Sequence, residues 1–242
     1  MNKLNLNMKK SLSLCVLTSA FLLSACGSSS NNAITPDPVN KTYKVTVNNV
    51  TANQPLSPAI VVIHKPSYRT FRAGQPASLA IENLAEGGSN QPLLDEASAD
   101  GGFVASISGA APIGPGGSDS LELSTGDETG FIISVAAMLV NTNDAFVGVS
   151  SNKIAGLEVG ESFRMHIPVW DAGTEVNSEA AGTMPGPADG GEGFNASRDG
   201  DANFVAIHQG VITHADGLAS SVLNESHRFI NPGGLLKVER IK

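Results

Sequence analysis

Two acidic residues lie four positions apart in the segment PVWDAGTEVN, which spans residues 168–177. Asp171 and Glu175 flank an Ala-Gly-Thr turn, in which Gly173 allows the backbone to fold so that both carboxylates face one point. Ca²⁺ prefers about six to eight oxygen ligands, which combine carboxylates with backbone carbonyls and water. The spacing therefore fits one corner of a calcium site. The alternative is a plain turn followed by a solvated acid.

Four other residues are weaker candidates for a site. Asp199 and Asp201 flank a glycine in SRDGDANF, as at the start of a calcium loop, but the later ligand positions and a closing Glu are missing. A simple turn is the alternative there. His64 and His208 each lie near the end of a predicted strand, from which the two side chains could meet at the edge of the fold. Such a pair would ligate a transition metal or act as a base, and the alternative is a histidine that caps a loop.

Motifs of known enzyme classes are missing from the sequence. It contains no Gly-x-Ser-x-Gly, His-Glu-x-x-His or phosphate-binding loop. An enzyme would therefore have no recognisable nucleophile, and we expect a protein without catalytic activity.

Alternating apolar residues between Gly, Pro and Asn turns predict a series of strands. These strands cover Tyr43–Val50, Ala59–His64, Gly102–Gly109, Asp119–Thr125, Gly130–Val140, Ala145–Ser150, Ser162–Trp170 and Asn203–Gly210, and the C-terminal FINPGGLLKVERIK is expected to close the sheet. A short helix is predicted over Pro76–Gly88 and one or two helical turns over Pro92–Ser98. Without a βαβ rhythm or an internal repeat, this pattern predicts an all-β fold. We expect an antiparallel β-sandwich of about eight strands with one or two short helices, over residues 42–242.

The N-terminus has the features of an export signal. Lys3, Lys9 and Lys10 precede an apolar stretch, Leu12–Leu23, that is too short for a permanent membrane span. The following LSAC resembles the bacterial lipobox, in which the chain is cut before the cysteine and both its sulfur and its new amine are acylated. Residues 1–25 are therefore predicted to be a signal peptide and Cys26 the lipidated first residue. The alternative is an ordinary secretory signal that happens to contain a cysteine.

The residues after the cysteine suggest where the chain is anchored. Gly27 resembles the sorting signal for the outer membrane, and the Ser, Asn and Pro residues of 26–41 predict a flexible tether. We therefore expect a lipoprotein of the bacterial cell envelope, held to the outer membrane by its acyl chains. With Cys15 in the signal and Cys26 lipidated, no thiol is left for a disulfide.

Charge restricts the possible partners. The chain has 15 basic and 23 acidic residues, and three lysines but no acid lie in the predicted signal, so the mature net charge is −11. Such a balance disfavours nucleic acid and anionic lipid headgroups as ligands and favours cations.

Three segments together resemble the spondin N-terminal domain, which occurs in extracellular matrix spondins and in many bacterial lipoproteins. They are VTVNNVTANQPLSPAIVVIH, NDAFVGV and WDAGTE, and the resemblance covers most of Tyr43–Lys242. It implies an eight-stranded antiparallel sandwich, similar to calcium-dependent membrane-binding modules, with Ca²⁺ held by three acidic side chains at one end. Matched by motif, the three are Asp144, Asp171 and Glu175.

Two positions depart from the family pattern: Ala145 stands where the animal domains have Trp, and Glu175 replaces Asp. The cysteines of the animal domains are also missing.

Three clustered carboxylates would raise one another's pKa unless a cation neutralised them.

These observations predict an outer-membrane-anchored, calcium-binding sandwich that acts as an extracytoplasmic binding or adhesion module. Its ligand would be a protein, glycan or lipid surface. The alternatives are an envelope hydrolase of unfamiliar type that uses His64 and His208, and a purely structural lipoprotein.

Overall fold

The computed structural model describes residues 40–151, 153–197, 200 and 202–242, which lie within one compact unit. Ten strands form in this part of the chain: Thr42–Asn49 (β1), Ile60–His64 (β2), Phe103–Ser108 (β3), Ser118–Ser124 (β4), Ile132–Met138 (β5), Ala145–Ser151 (β6), Ser162–Ile167 (β7), Val169–Asp171 (β8), Ala206–Ile207 (β9) and Gly234–Arg240 (β10). The two α-helices are Leu79–Gly87 (α1) and Gln91–Ala99 (α2), and the short 3₁₀ helices are Lys153–Gly156, His214–Asp216 and Glu225–His227.

The strands form two sheets in which every pairing of neighbours is antiparallel. One sheet has the order β4-β1-β10-β7 and the other β3-β2-β5-β6-β8-β9. The predicted all-β sandwich is confirmed, with ten strands among the described residues instead of about eight.

The central strands of the six-stranded sheet, β2, β5 and β6, are buried on both faces. The sheet's inner face packs in the core between the sheets, where Val61, Ile133 and Val147 lie with Tyr43 of the other sheet. Its outer face is covered by α1 in a second cluster, which includes Ile60, Phe146 and, from the helix, Ile81 and Leu84. Burial on both faces explains the continuous apolar run of β5.

Both ends of α1 have local causes. Ser78 accepts a hydrogen bond from the Ile81 N–H, and Gly88 closes the last turn in the left-handed region at φ 65°. The predicted helix is therefore confirmed. α2 has nine residues, which is longer than the predicted turn or two.

Two strand predictions are wrong in extent. Ser162–Trp170 is not one strand, because the chain passes at Pro168 from β7 in the four-stranded sheet to β8 in the six-stranded sheet. Proline lacks the N–H that a continuous ladder needs, so a change of sheet is natural there. Asn203–Gly210 contains only the two-residue β9.

The C-terminal segment closes the four-stranded sheet, as predicted. β10 lies between β1 and β7 and pairs with both along its length. Within the described ranges, no helix is long and apolar enough to cross a membrane.

Candidate metal centre

The pairing of β6 with β8 brings two of the predicted ligands to one end of the six-stranded sheet. Ala145 is the register partner of Asp171, and Asp144 immediately precedes β6. The Ala172 N–H also donates to the Asp144 carbonyl at 3.2 Å. Asp144 and Asp171 are therefore neighbours across a strand pair, with Glu175 in the turn that follows β8. Asp144 and Glu175 are buried and Asp171 is partly exposed.

The Asp144 carboxylate organises this turn. Its Oδ2 accepts hydrogen bonds from the backbone N–H groups of Thr174 (2.8 Å) and Glu175 (3.1 Å), and from the Thr174 hydroxyl (3.3 Å). Asp171 supports the same turn, because its Oδ1 accepts from the Gly173 N–H at 2.7 Å and its Oδ2 from the Asn177 amide at 2.6 Å. One carboxylate from each side of the strand pair thus holds the turn 171–177.

The second oxygen of Asp144 is different. Asp144 has no exposed surface, and its Oδ1 has no hydrogen-bond partner among the described residues. Burial, and secondly the nearby Asp171 carboxylate, raise the pKa of Asp144 to about 7, although the bonds from Glu175 and Thr174 oppose the shift. A buried carboxylate oxygen is costly to leave without a partner. Asp144 therefore offers an inward-facing oxygen of the type that hard cations bind.

The turn is enclosed by the segment before β9. Gly173 has φ 71°, and a Cβ at this position would lie 2.5 Å from the Phe204 carbonyl oxygen. The Asn203 N–H donates to the Gly173 carbonyl at 3.0 Å, and a Cβ on Gly200 would lie 2.2 Å from the same oxygen. Glycine is needed at residue 173 for both its conformation and this close approach.

The predicted ligands share this corner but do not surround a common point. Across the described ranges, no group of three or more His, Cys, Asp or Glu side chains could hold a metal ion as arranged. The residues fit a calcium ion by chemistry, because Asp144, Asp171 and Glu175 supply only oxygens and Asp144 Oδ1 has no hydrogen-bond partner in the described part of the chain.

The weaker aspartates and the lipidation site lie outside the described residues. Asp199 and Asp201 flank Gly200, which packs on the Gly173 turn, but they are not themselves described. Cys26, the signal peptide and nearly all of the tether are also outside. These assignments stay predictions.

His64 and His208 do not meet, so the possibility of a shared histidine site at the edge of the fold is wrong. His64 belongs to β2 and His208 follows β9, and β5, β6 and β8 lie between those strands. In His64, Nδ1 donates to the Lys65 carbonyl (2.9 Å) and Nε2 bonds the Ser134 hydroxyl (2.7 Å), so it is a satisfied core histidine. Burial lowers the pKa of both histidines.

Two residues at this end of the fold were not singled out by the sequence. The Asn143 amide donates to Glu175 Oε2 at 3.3 Å, and its Oδ1 accepts from the Glu179 N–H at 3.2 Å. Glu179 is buried with φ 45°, which is uncommon for a residue other than glycine. Its Oε1 accepts from the Ile212 N–H at 3.2 Å. No periodicity marks either residue, because their contacts are made between loops distant in sequence.

Glu179→Gln should change how stability depends on pH. Burial raises the pKa of Glu179 to about 7, so the stability that its proton contributes is complete below the unfolded pKa, at about pH 4, and is lost as pH rises through 7. The variant mimics the protonated form and should be more stable than the parent at pH 8, with a smaller difference at pH 5. Melting temperatures in chelator at both pH values measure this.

The exposed Glu192 of the same loop provides a control, since Glu192→Gln should shift the two melting temperatures equally. Identical pH profiles for Glu179→Gln and the parent would show that Glu179 is not held in a charge-excluding environment.

The chain matches the Spondin_N family model over residues 40–184. This match covers 145 of the 242 residues, and the chain belongs to the spondin N-terminal family. The resemblance seen in the sequence is therefore confirmed, and the matched part contains Asp144, Asp171 and Glu175 but ends before β9 and β10. A search of curated proteins found no match to the chain. Family membership suggests an extracellular module of the binding or adhesion type.

Proposed function

We propose that this protein is a calcium-binding β-sandwich that acts as a binding or adhesion module at the bacterial cell envelope. The observation that carries the proposal is the buried Asp144, which lies near the Asp171 carboxylate. Its Oδ1 has no hydrogen-bond partner among the described residues. Within the part that matches the family, a cation at this point would neutralise two charges that repel each other.

Each acidic residue would have a separate task. Asp144 would bind through Oδ1 while its Oδ2 keeps the backbone of residues 174–175 in place. Asp171 would share its oxygens between the ion and the Gly173 N–H, and Glu175 would approach from the turn itself. A bound Ca²⁺ would supply positive charge and stabilise the turn.

A binding role fits these features better than a catalytic one. The hydrolase alternative needs His64 and His208 together, and they lie on well-separated strands. An ion that fixes the turn 171–177 would also fix the residues packed on it, such as Gly200 and Asn203. We propose that these loops present the ligand-binding surface, and that the ligand is a protein, glycan or lipid surface rather than nucleic acid.

A pulldown of envelope or host-surface material with and without chelator tests this role. A partner that is captured with Ca²⁺, released by chelator and not captured by Asp144→Asn supports a calcium-dependent binding module. Capture that is indifferent to both chelator and Asp144→Asn would contradict the role proposed for the ion. Thermal stabilisation by Ca²⁺ without any partner would instead support the purely structural alternative.

Cys26→Ala should release the protein from the outer membrane. The proposed anchor is the acylated cysteine, and its removal leaves no acyl chains to hold the tether. Detergent-phase partitioning and membrane fractionation measure the change, with Cys15→Ala as a control that should leave partitioning unaltered. If Cys26→Ala still fractionates with the outer membrane, the lipoprotein assignment is wrong.

A further inference from the structure

A single buried amide connects the candidate metal centre to the loop that follows it. Asn143 is 2% exposed and immediately precedes Asp144. Its Nδ2 donates to Glu175 Oε2 at 3.3 Å and to the Thr183 hydroxyl at 3.0 Å, while its Oδ1 accepts from the Glu179 N–H at 3.2 Å. Both ends of the amide are thus used between segments that are more than 30 residues apart.

The contact with Glu175 restrains the direction in which its carboxylate points. Glutamate has one more rotatable bond than aspartate, so holding its carboxylate in one place costs more side-chain entropy. An amide donor restrains Glu175 without bringing a positive charge, which would compete with a cation. Partners that orient a ligand in this way commonly affect metal affinity about 10- to 100-fold.

The contact with Glu179 concerns the backbone of the loop. Glu179 lies in the left-handed region at φ 45°, a conformation that is unfavourable for a residue with a side chain. The bond from its N–H to Asn143 stabilises that conformation. The Val222 N–H donates to the Glu179 carbonyl at 2.9 Å, so this position also fixes the C-terminal part of the chain.

We propose that Asn143 is a positioning residue that sets Glu175 for the cation and couples cation binding to the order of residues 179–183. The inference rests on the proposed function, because it concerns the same ion. An ion that draws Glu175 into place favours the conformation in which Asn143 also holds Glu179 and Thr183. By linkage, removing Asn143 weakens ion binding, and the ion protects the loop only when Asn143 is present.

Asn143→Ala in the full chain, titrated with CaCl₂ in a calorimeter, tests the first part. We expect an affinity about 10-fold to 100-fold weaker than that of the parent. Asn141→Ala is the matched control, because Asn141 is equally buried and also bonds a loop, through the Ala188 N–H at 2.9 Å and the Asn53 carbonyl at 3.3 Å. Asn141 bonds no predicted ligand, so its removal should leave the affinity unchanged.

A double-mutant cycle separates positioning from general loosening of the fold. If Asn143 acts through Glu175, then Asn143→Ala should have little further effect on affinity once Glu175→Gln is present. Proteolysis within residues 179–183 gives an independent measurement. Added Ca²⁺ should slow cleavage of the parent and of Asn141→Ala, but not of Asn143→Ala.

The outcomes distinguish this inference from the proposed function. A parent that binds no Ca²⁺ overturns the proposed function. A parent that binds, with Asn143→Ala equal to it in affinity and protection, overturns only the role of Asn143. Should Asn143→Ala fail to fold, Asn143→Ser keeps a polar side chain that is too short to reach Glu175, and the same loss of affinity is expected.

Discussion

Calcium should raise the melting temperature of the parent protein, and Asp144→Asn should abolish most of that rise. An ion that binds only the folded state adds about 2.7 kcal/mol of stability at a free concentration of about 100 times its dissociation constant. Asparagine can still accept the hydrogen bonds from Thr174 and Glu175, but it lacks the charge that attracts the ion. Calorimetric melting with Ca²⁺ and with chelator measures both effects.

Without metal at pH 8, Asp144→Asn should be at least as stable as the parent. The pKa of Asp144 is raised to about 7, so its charged form is disfavoured in the folded state, and a neutral isostere removes that cost. Asp189→Asn is the control: Asp189 also accepts from loop N–H groups, those of Gly182 and Met184, and its loss changes the net charge equally. An undiminished calcium response in Asp144→Asn would contradict the assignment of this residue.

A chain truncated after Met184 should fail to fold, although it retains the whole segment that matches the family model. The deletion removes β10, which lies between β1 and β7 in the four-stranded sheet. Without it, β1 loses one ladder, β7 loses its pairing with β10, and the core loses the buried Leu236 and Val238. Circular dichroism should show little β structure and no cooperative melting.

The matched control is a chain that begins at Asn40 and keeps the C-terminus. It contains all ten strands of the described residues and should melt cooperatively. Cooperative melting of the truncated chain near the temperature of this control would mean that the strands up to β8 form a stable domain alone. β10 would then be an accessory to the sandwich and not a central part of it.

The strands were predictable because a strand with one buried face has apolar residues at every second position. β1 shows this in Tyr43, Val45 and Val47, and β10 shows it in Leu236 and Val238. The alternation continues on both sides of Pro168, so the sequence pattern did not reveal that the chain passes there from β7 to β8. The same alternation continues although the two halves belong to different sheets.

The candidate site was predictable only in part, for a related reason. Asp144, Asp171 and Glu175 stand in short motifs and follow from the family resemblance. Asn143 and Glu179 come into contact because the loop that contains Glu179 returns to the start of β6. No local sequence pattern indicates that contact. His64 and His208 were paired from their similar positions near strand ends, but strand order, which local patterns do not give, separates them.

Calorimetric titration of the purified protein with CaCl₂ tests the central claim most directly. The parent should bind Ca²⁺, and Asp144→Asn, Asp171→Asn and Glu175→Gln should each bind it more weakly, while Asp189→Asn binds like the parent. Absence of binding by the parent, or one affinity shared by the parent and the three variants, would contradict the calcium site.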